Sequence, residues 1–166
     1  MSGKRFYSKL YTIADDGKFK NASMQAVMQE ANRVIEFKYQ KGTEFKSAHI
    51  AKEYLKTKLA AQEREVFSVI YLNAHREFIS YSELFLGTLT LINVHPREIA
   101  RQALKLNADA VIISHNHPSG NAQPSAADMT MTQRIISTLA VLDIKVLDHI
   151  IVAGNDAVSF AEHEYL

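Results

Sequence analysis

Apolar residues recur at helical spacing in two segments near the start of the chain. Between residues 22 and 39 they lie at every third or fourth position, which predicts an amphipathic helix. Asn21 or Ser23 has the side chain that caps such a helix. A second stripe of the same kind begins after Ser47, another capping residue, and runs to about residue 62. The first part of the chain is therefore predicted to be helical.

In the rest of the chain, short apolar runs alternate with segments in which apolar residues recur at helical spacing. A hairpin is predicted where one apolar run, a turn-like sequence and a second run follow each other. Beyond this hairpin, strands and helices alternate, as they do in mixed sheets with helices on their faces. The predicted strands are residues 66–72, 77–81, 85–90, 110–113, 145–152 and 157–160, and the predicted helices are residues 96–107 and 125–142.

This order predicts an α/β fold in which a mixed β-sheet is flanked by helices. We assign the fold to residues 44–166 and treat residues 1–43 as a helical N-terminal extension. Ligands of such sheets bind at the C-terminal ends of strands. The strand at residues 110–113 ends directly before the segment with the most distinctive chemistry in the chain.

Composition narrows the chemistry that this fold can perform. Of 166 residues, 47% are hydrophobic and 22% are charged, as in soluble globular proteins. No apolar stretch approaches the roughly 18 residues that span a membrane, and the N-terminus is not a secretory signal, so we expect a cytoplasmic protein. The chain has no cysteine, which excludes disulfides and thiolate zinc ligands. A net charge of +1 gives little attraction for nucleic acid.

Two imidazoles and a carboxylate lie close together along the chain, at His115, His117 and Asp128. They supply three of the four ligands of a tetrahedral zinc ion, and the position left for water distinguishes a catalytic zinc from a structural one. Histidines one residue apart face one ion from a strand end or a loop, and Pro118 and Gly120 disfavour a helix there. The sequence thus predicts one Zn²⁺ ion.

The spacing around these residues resembles a known signature. After His115-x-His117 come seven residues, Ser125, two residues and Asp128, which is the H-x-H-x7-S-x2-D pattern of the JAMM motif. JAB/MPN-type metalloproteases carry this motif. The resemblance implies an MPN/JAB fold with a cytidine-deaminase-like arrangement and a zinc-dependent hydrolase that cleaves peptide or isopeptide-like amide bonds.

Segments outside the motif resemble one branch of these proteins. Residues 94–98, 107–111 and 148–152 are similar to the bacterial RadC family, and residues 159–163 are similar to its short members. The resemblance covers roughly residues 44–166. It implies that this part of the chain is a RadC-type metal-binding domain.

Activation of water also needs a general base, and only the resemblance selects one. Glu63, Glu65, Glu77 and Glu83 all precede the motif. In JAMM proteins the distant glutamate lies where a helix gives way to the first core strand, which matches Glu65. The resemblance therefore implies that Glu65 is the base, with Glu63 as the alternative.

Ser125 has two competing interpretations. A serine three residues before Asp128 forms a capping box at a helix start. In JAMM enzymes the matching serine lends its hydroxyl to the tetrahedral oxyanion. We favour the catalytic role, on the argument that Asp128 cannot be both a capping group and a zinc ligand.

His149 lies outside the motif, in the strand predicted at residues 145–152. This residue is expected to be a core histidine whose ring nitrogens are hydrogen-bonded, or else a hydrogen-bond partner of a zinc ligand.

A peptide or protein substrate is expected. A DNA-associated role, from the repair label of the RadC family, and a non-catalytic metal-binding interaction module are alternatives. Residues 1–43 do not resemble the helix-hairpin-helix region of longer RadC proteins, which weakens the case for DNA, and the complete ligand set argues against the module.

Overall fold

The computed structural model describes residues 9–86 and 94–166. The chain divides into two compact units, Met1–Lys38 and Tyr39–Leu166. Of the extended piece predicted at residues 85–90, the first two residues belong to a strand, and residues 87–90 lie outside the described residues.

The first unit contains a short antiparallel hairpin and one helix. The hairpin pairs β1 (Tyr11–Ile13) with β2 (Phe19–Asn21), and α1 (Met24–Lys38) follows. Ser23 caps the helix, since its Oγ accepts a hydrogen bond of 3.1 Å from the N–H of Ala26. The helix was predicted and the hairpin was not, because strands of three residues are too short to show an alternating pattern.

The second unit is built on a five-stranded mixed sheet. In the order β4-β3-β5-β6-β7, β5 and β6 run parallel and the other neighbours are antiparallel. This arrangement confirms the predicted α/β fold class. The strands are β3 (Val66–Leu72), β4 (Phe78–Leu86), β5 (Ala110–Asn116), β6 (Lys145–Ala153) and β7 (Asp156–Ser159).

Three helices pack on this sheet: α2 (Ala48–Leu59), α3 (Pro96–Lys105) and α4 (Ala126–Ala140). Buried side chains of α3 and α4 form one core with alternate side chains of β3 and β5. The helix α2 contacts β5, β6 and β7, and Tyr54 packs against Tyr81. Ser47 caps α2 as predicted, through a hydrogen bond from Ile50. Among the described residues, no helix is both long and apolar enough to cross a membrane.

The topology of the sheet brings two chain segments together at one end of its central strands. Because β3 is antiparallel to β5, the start of β3 lies beside the end of β5, where Phe67 pairs with His115. The residue before β3 is Glu65, and the residue after β5 is His117. The two histidines and Glu65 therefore lie close together at the carboxyl end of β5.

Candidate metal centre

His115 and His117 present their Nε2 atoms to each other at 2.9 Å. The strand β5 runs through Asn116, three residues beyond its predicted end, so His115 lies in the strand and His117 follows it directly. Residues two apart on an extended chain share one side, which is why both rings face the same space. His115 is buried, with 1% of its surface exposed.

Two carboxylates face this imidazole pair. Asp128, in the first turn of α4, places Oδ1 3.3 Å from Nε2 of His115 and Oδ2 3.7 Å from Nε2 of His117. Glu65 places Oε1 4.0 Å from each of the same two nitrogens. Glu65, His115 and His117 form a group whose ligand atoms all lie within 4.8 Å of one another, a group positioned to bind a metal ion.

The two oxygens of Asp128 have different partners. Oδ2 accepts hydrogen bonds from the backbone N–H of Ser125 at 2.8 Å and from its hydroxyl at 2.7 Å. The N–H of Asp128 in turn donates to Ser125 Oγ at 3.1 Å, which completes a capping box. Oδ1 is the atom nearest to His115. In this structure Asp128 therefore forms the capping box through Oδ2 while Oδ1 is directed at His115, so the capping interpretation does not turn the carboxylate away from the imidazoles.

The electrostatic setting keeps Asp128 ionised. Burial raises the pKa of this carboxyl, but the interactions with His115 and the two hydrogen bonds from Ser125 lower it by more. The net result is a pKa well below the ordinary value of 3.8. An ionised carboxylate is the form that binds a cation.

The other nitrogen of each imidazole is held in place. Nδ1 of His117 lies 2.7 Å from the carbonyl oxygen of Asn121, which only accepts, so Nδ1 carries a hydrogen, and the neutral ring that binds a metal then has its lone pair on Nε2. Nδ1 of His115 lies 2.9 Å from Nε2 of His149. The lone pair of His117 Nε2 thus faces the same space as the two carboxylates.

The donor set fits a small divalent cation that prefers nitrogen and oxygen. Zinc bonds of about 2.0–2.2 Å in a tetrahedron separate neighbouring ligand atoms by roughly 3.3–3.6 Å. The two Nε2 atoms and the nearest oxygen of Asp128 are separated by 2.9 and 3.3 Å, which is close to that spacing. Glu65, at 4.0 Å from both nitrogens, lies slightly farther out.

His149 is both a core residue and a partner of the metal group. It is fully buried on β6, and its ring bonds His115 on one side and Thr132 of α4 on the other. Burial, the largest cause, holds the pKa of His149 well below the ordinary value of 6.5. The two interpretations offered for this residue are therefore compatible.

Asn116, between the two histidines, holds the segment that carries Glu65. Its side-chain oxygen accepts a hydrogen bond of 2.8 Å from the N–H of Val66. Its amide nitrogen donates to the carbonyl oxygens of Arg64 at 2.9 Å and of Gln62 at 3.3 Å. This contact and the contact of Thr132 with His149 could not be predicted from the sequence, because both depend on how strands and helices align in three dimensions.

The remaining candidates lie away from this group. The structure brings only Glu65 of the four preceding glutamates to the imidazoles: Glu77 bonds Asn73, Glu83 bonds Tyr81, and Glu63 is exposed. The four histidines outside the metal group and β6 are exposed: His49, His75, His95 and His163.

The fold and the metal group together define a class of protein. A mixed sheet with His-x-His at the end of its central strand, facing one glutamate before the neighbouring strand and one aspartate at a helix start, is consistent with a JAB-type domain. The family model of the RadC-like JAB domain matches residues 45–165. The chain therefore belongs to the RadC family.

Proposed function

We propose that this protein is a zinc-dependent hydrolase of the JAMM type, which cleaves peptide or isopeptide-like amide bonds of a peptide or protein substrate. One observation carries the proposal: Glu65 Oε1 lies at the same distance, 4.0 Å, from the Nε2 atoms of both histidines, while Asp128 lies nearer to each of them. The two acids are thus suited to two different tasks.

His115, His117 and Asp128 would hold the ion. The two imidazoles offer Nε2, and Asp128 offers Oδ1, while its Oδ2 stays anchored to Ser125. A bound zinc supplies the Lewis acidity that makes water a nucleophile at neutral pH and polarises the carbonyl of the substrate. The anchored Oδ2 limits the rotation of Asp128, so the carboxylate stays directed at the imidazoles.

Glu65 would act as the general base and acid. Its carboxylate is part-buried and, at 4.0 Å from both Nε2 atoms, lies farther from the imidazoles than Asp128 does, which suits it to bind a water molecule rather than the ion. It takes a proton from this water and passes it to the leaving amine. Asn116 holds the backbone on both sides of Glu65, so the position of the base is fixed relative to the ligands.

Ser125 would stabilise the oxyanion. The residue is exposed at the start of α4, and its hydroxyl donates to Asp128 Oδ2. Rotation of this hydroxyl towards a substrate oxygen leaves the backbone bond from Ser125 N–H to Oδ2 in place. The serine can therefore change partner without releasing Asp128.

The decisive experiment compares Glu65→Gln with Glu63→Gln, a matched change at an exposed neighbour. Each protein is loaded with zinc, its metal content is measured, and its activity is screened by mass spectrometry on a peptide library and on isopeptide-linked lysine substrates. We expect about one zinc per chain in all of them and a loss of at least roughly 10²-fold in kcat for Glu65→Gln only.

Two outcomes would contradict the assignment. Undiminished cleavage by Glu65→Gln would exclude Glu65 as the base. If Glu65→Gln lost its zinc and Asp128→Asn kept it, the two acids would have to exchange roles. Absence of any cleavage by the zinc-loaded wild type across both substrate classes would contradict the hydrolase proposal itself.

A further inference from the structure

The hydroxyl of Thr132 determines the direction of a chain of hydrogen bonds. It has one hydrogen and two neighbours: the carbonyl oxygen of Asp128 at 2.6 Å and Nδ1 of His149 at 2.6 Å. A carbonyl oxygen only accepts, so the hydrogen of Thr132 goes to Asp128. Thr132 Oγ1 must then accept from His149, and Nδ1 of His149 carries the hydrogen.

The hydrogen position on His149 also determines that on His115. A neutral imidazole with its hydrogen on Nδ1 has its lone pair on Nε2. Nε2 of His149 faces Nδ1 of His115 at 2.9 Å, so His115 donates from Nδ1. The lone pair of His115 is then on Nε2, the atom that faces His117 and Asp128.

The ring of His149 is held in this orientation by apolar packing as well. It lies against the ring of Phe160, with centroids 4.4 Å apart, and an edge contact with Phe67 has centroids 6.3 Å apart. Neither phenyl ring offers a hydrogen-bond partner to a flipped imidazole. A flip of His149 would also place carbon atoms against Thr132 and His115, with the loss of two buried hydrogen bonds.

We propose that Thr132 and His149 are positioning residues that fix the tautomer of His115, so that its Nε2 lone pair is directed at the metal. The chain of bonds ends on the backbone of Asp128, so it also ties one ligand to the helical turn that carries another. In His117, a single acceptor, the carbonyl oxygen of Asn121, fixes the hydrogen on Nδ1 in the same way. The inference rests on the zinc-binding part of the proposed function and not on hydrolysis.

The test uses Thr132→Val with two matched controls. Valine keeps the shape of threonine and removes the acceptor of His149. Thr132→Ser restores the acceptor. Thr130→Val removes a bond of the same kind in the same helix, from Thr130 Oγ1 to the carbonyl of Ala126 at 2.9 Å, and Thr130 is exposed and has no histidine bond among the described contacts.

Zinc affinity is the first measurement, by competition with a chelator. We expect the Kd for zinc to rise about 10–100-fold in Thr132→Val, since loss of partners of this kind costs that much, and to stay within about 3-fold of wild type in both controls. A Thr132→Val protein that binds zinc as tightly as wild type would overturn the proposal.

The second measurement uses only the wild type. It reports directly which nitrogen carries the hydrogen, so a loss of stability in the Thr132 variant cannot affect it. Long-range ¹H–¹⁵N NMR of the zinc-loaded wild type shows which nitrogen of each imidazole carries hydrogen. We expect it on Nδ1 of both His115 and His149, and a hydrogen on Nε2 of His149 would overturn the proposal. Wild type that binds no zinc at all would refute the proposed function, whereas tight wild-type binding with the wrong tautomer would refute only this inference.

Discussion

Asn116 shows how one residue joins the two halves of the candidate site. Its neighbours on either side are the two histidines, and its carboxamide makes three hydrogen bonds to the backbone around Glu65. It is 3% exposed, so these bonds have little competition from water. A change at Asn116 should therefore affect the base more than the ligands.

We expect Asn116→Ala to destabilise the protein by about 1–3 kcal/mol, because the buried N–H of Val66 loses its acceptor. Zinc should remain bound, since the ring nitrogens of His115 and His117 do not depend on this side chain, while the amide of Val66 should exchange its hydrogen faster. Urea denaturation, zinc analysis and hydrogen exchange measure the three quantities. Asn116→Asp, which keeps the acceptor and lacks the donors, should restore protection of Val66 alone; unchanged exchange in Asn116→Ala would contradict this account.

The residues with distinctive chemistry could be predicted from the sequence, and their partners could not. Two histidines, a serine and an aspartate at fixed offsets are rare enough to identify, and the structure gathers both histidines, Asp128 and Glu65 in one place. Thr132 is an ordinary helix residue in the sequence. Its contact with His149 exists only because α4 packs beside β6.

At the scale of elements, Asp148 connects β6 to the end of β7 and to the chain that follows it. Its buried carboxylate accepts from Ser159 Oγ at 2.6 Å and from the N–H of Ala161 at 3.0 Å. Burial raises the pKa of Asp148 above its ordinary value of 3.8, despite these hydrogen bonds. The folded state thus binds a proton at Asp148 more tightly than the unfolded chain does.

A pH dependence follows from this raised pKa. Because the folded state holds the proton more tightly, the free energy of unfolding should decrease as the pH rises from about 3.8 through the folded pKa of Asp148, and then level off. Asp148→Asn has no proton to lose and should lack this decrease. Urea denaturation of both zinc-free proteins between pH 4 and 7 gives the difference, and parallel curves for the two would contradict the prediction.

Most elements of the second unit were predicted with bounds close to those observed, whereas β4 was predicted as two separate pieces. The mainly apolar run of β3, the apolar second half of β6 and the apolar face of α3 gave bounds close to those observed. The strand β5 extends three residues farther than predicted, because its polar end, Ser114 to Asn116, is still paired with β6. The polar side chains of these residues gave no indication of a buried strand. The hairpin of β1 and β2 has no such apolar run.

At the scale of the molecule, the candidate site and its supports belong to one compact unit. The metal group, His149, Thr132 and the core beneath them all lie within Tyr39–Leu166. None of the contacts that define the tautomers or hold Glu65 comes from the first unit. Zinc binding should therefore be a property of the second unit.

We expect residues 39–166 expressed alone to fold and to bind zinc with a Kd within about 3-fold of the full chain, because each ligand and each residue that holds a ligand is retained. Zinc binds only the folded state in this scheme, so free zinc at 100 times the Kd should stabilise both proteins by about 2.7 kcal/mol. Thermal denaturation with and without zinc measures this gain, and His115→Ala in each protein is the control that should show none of it. A fragment that folds but binds zinc more than about 10-fold more weakly than the full chain would show that the first unit contributes to the site.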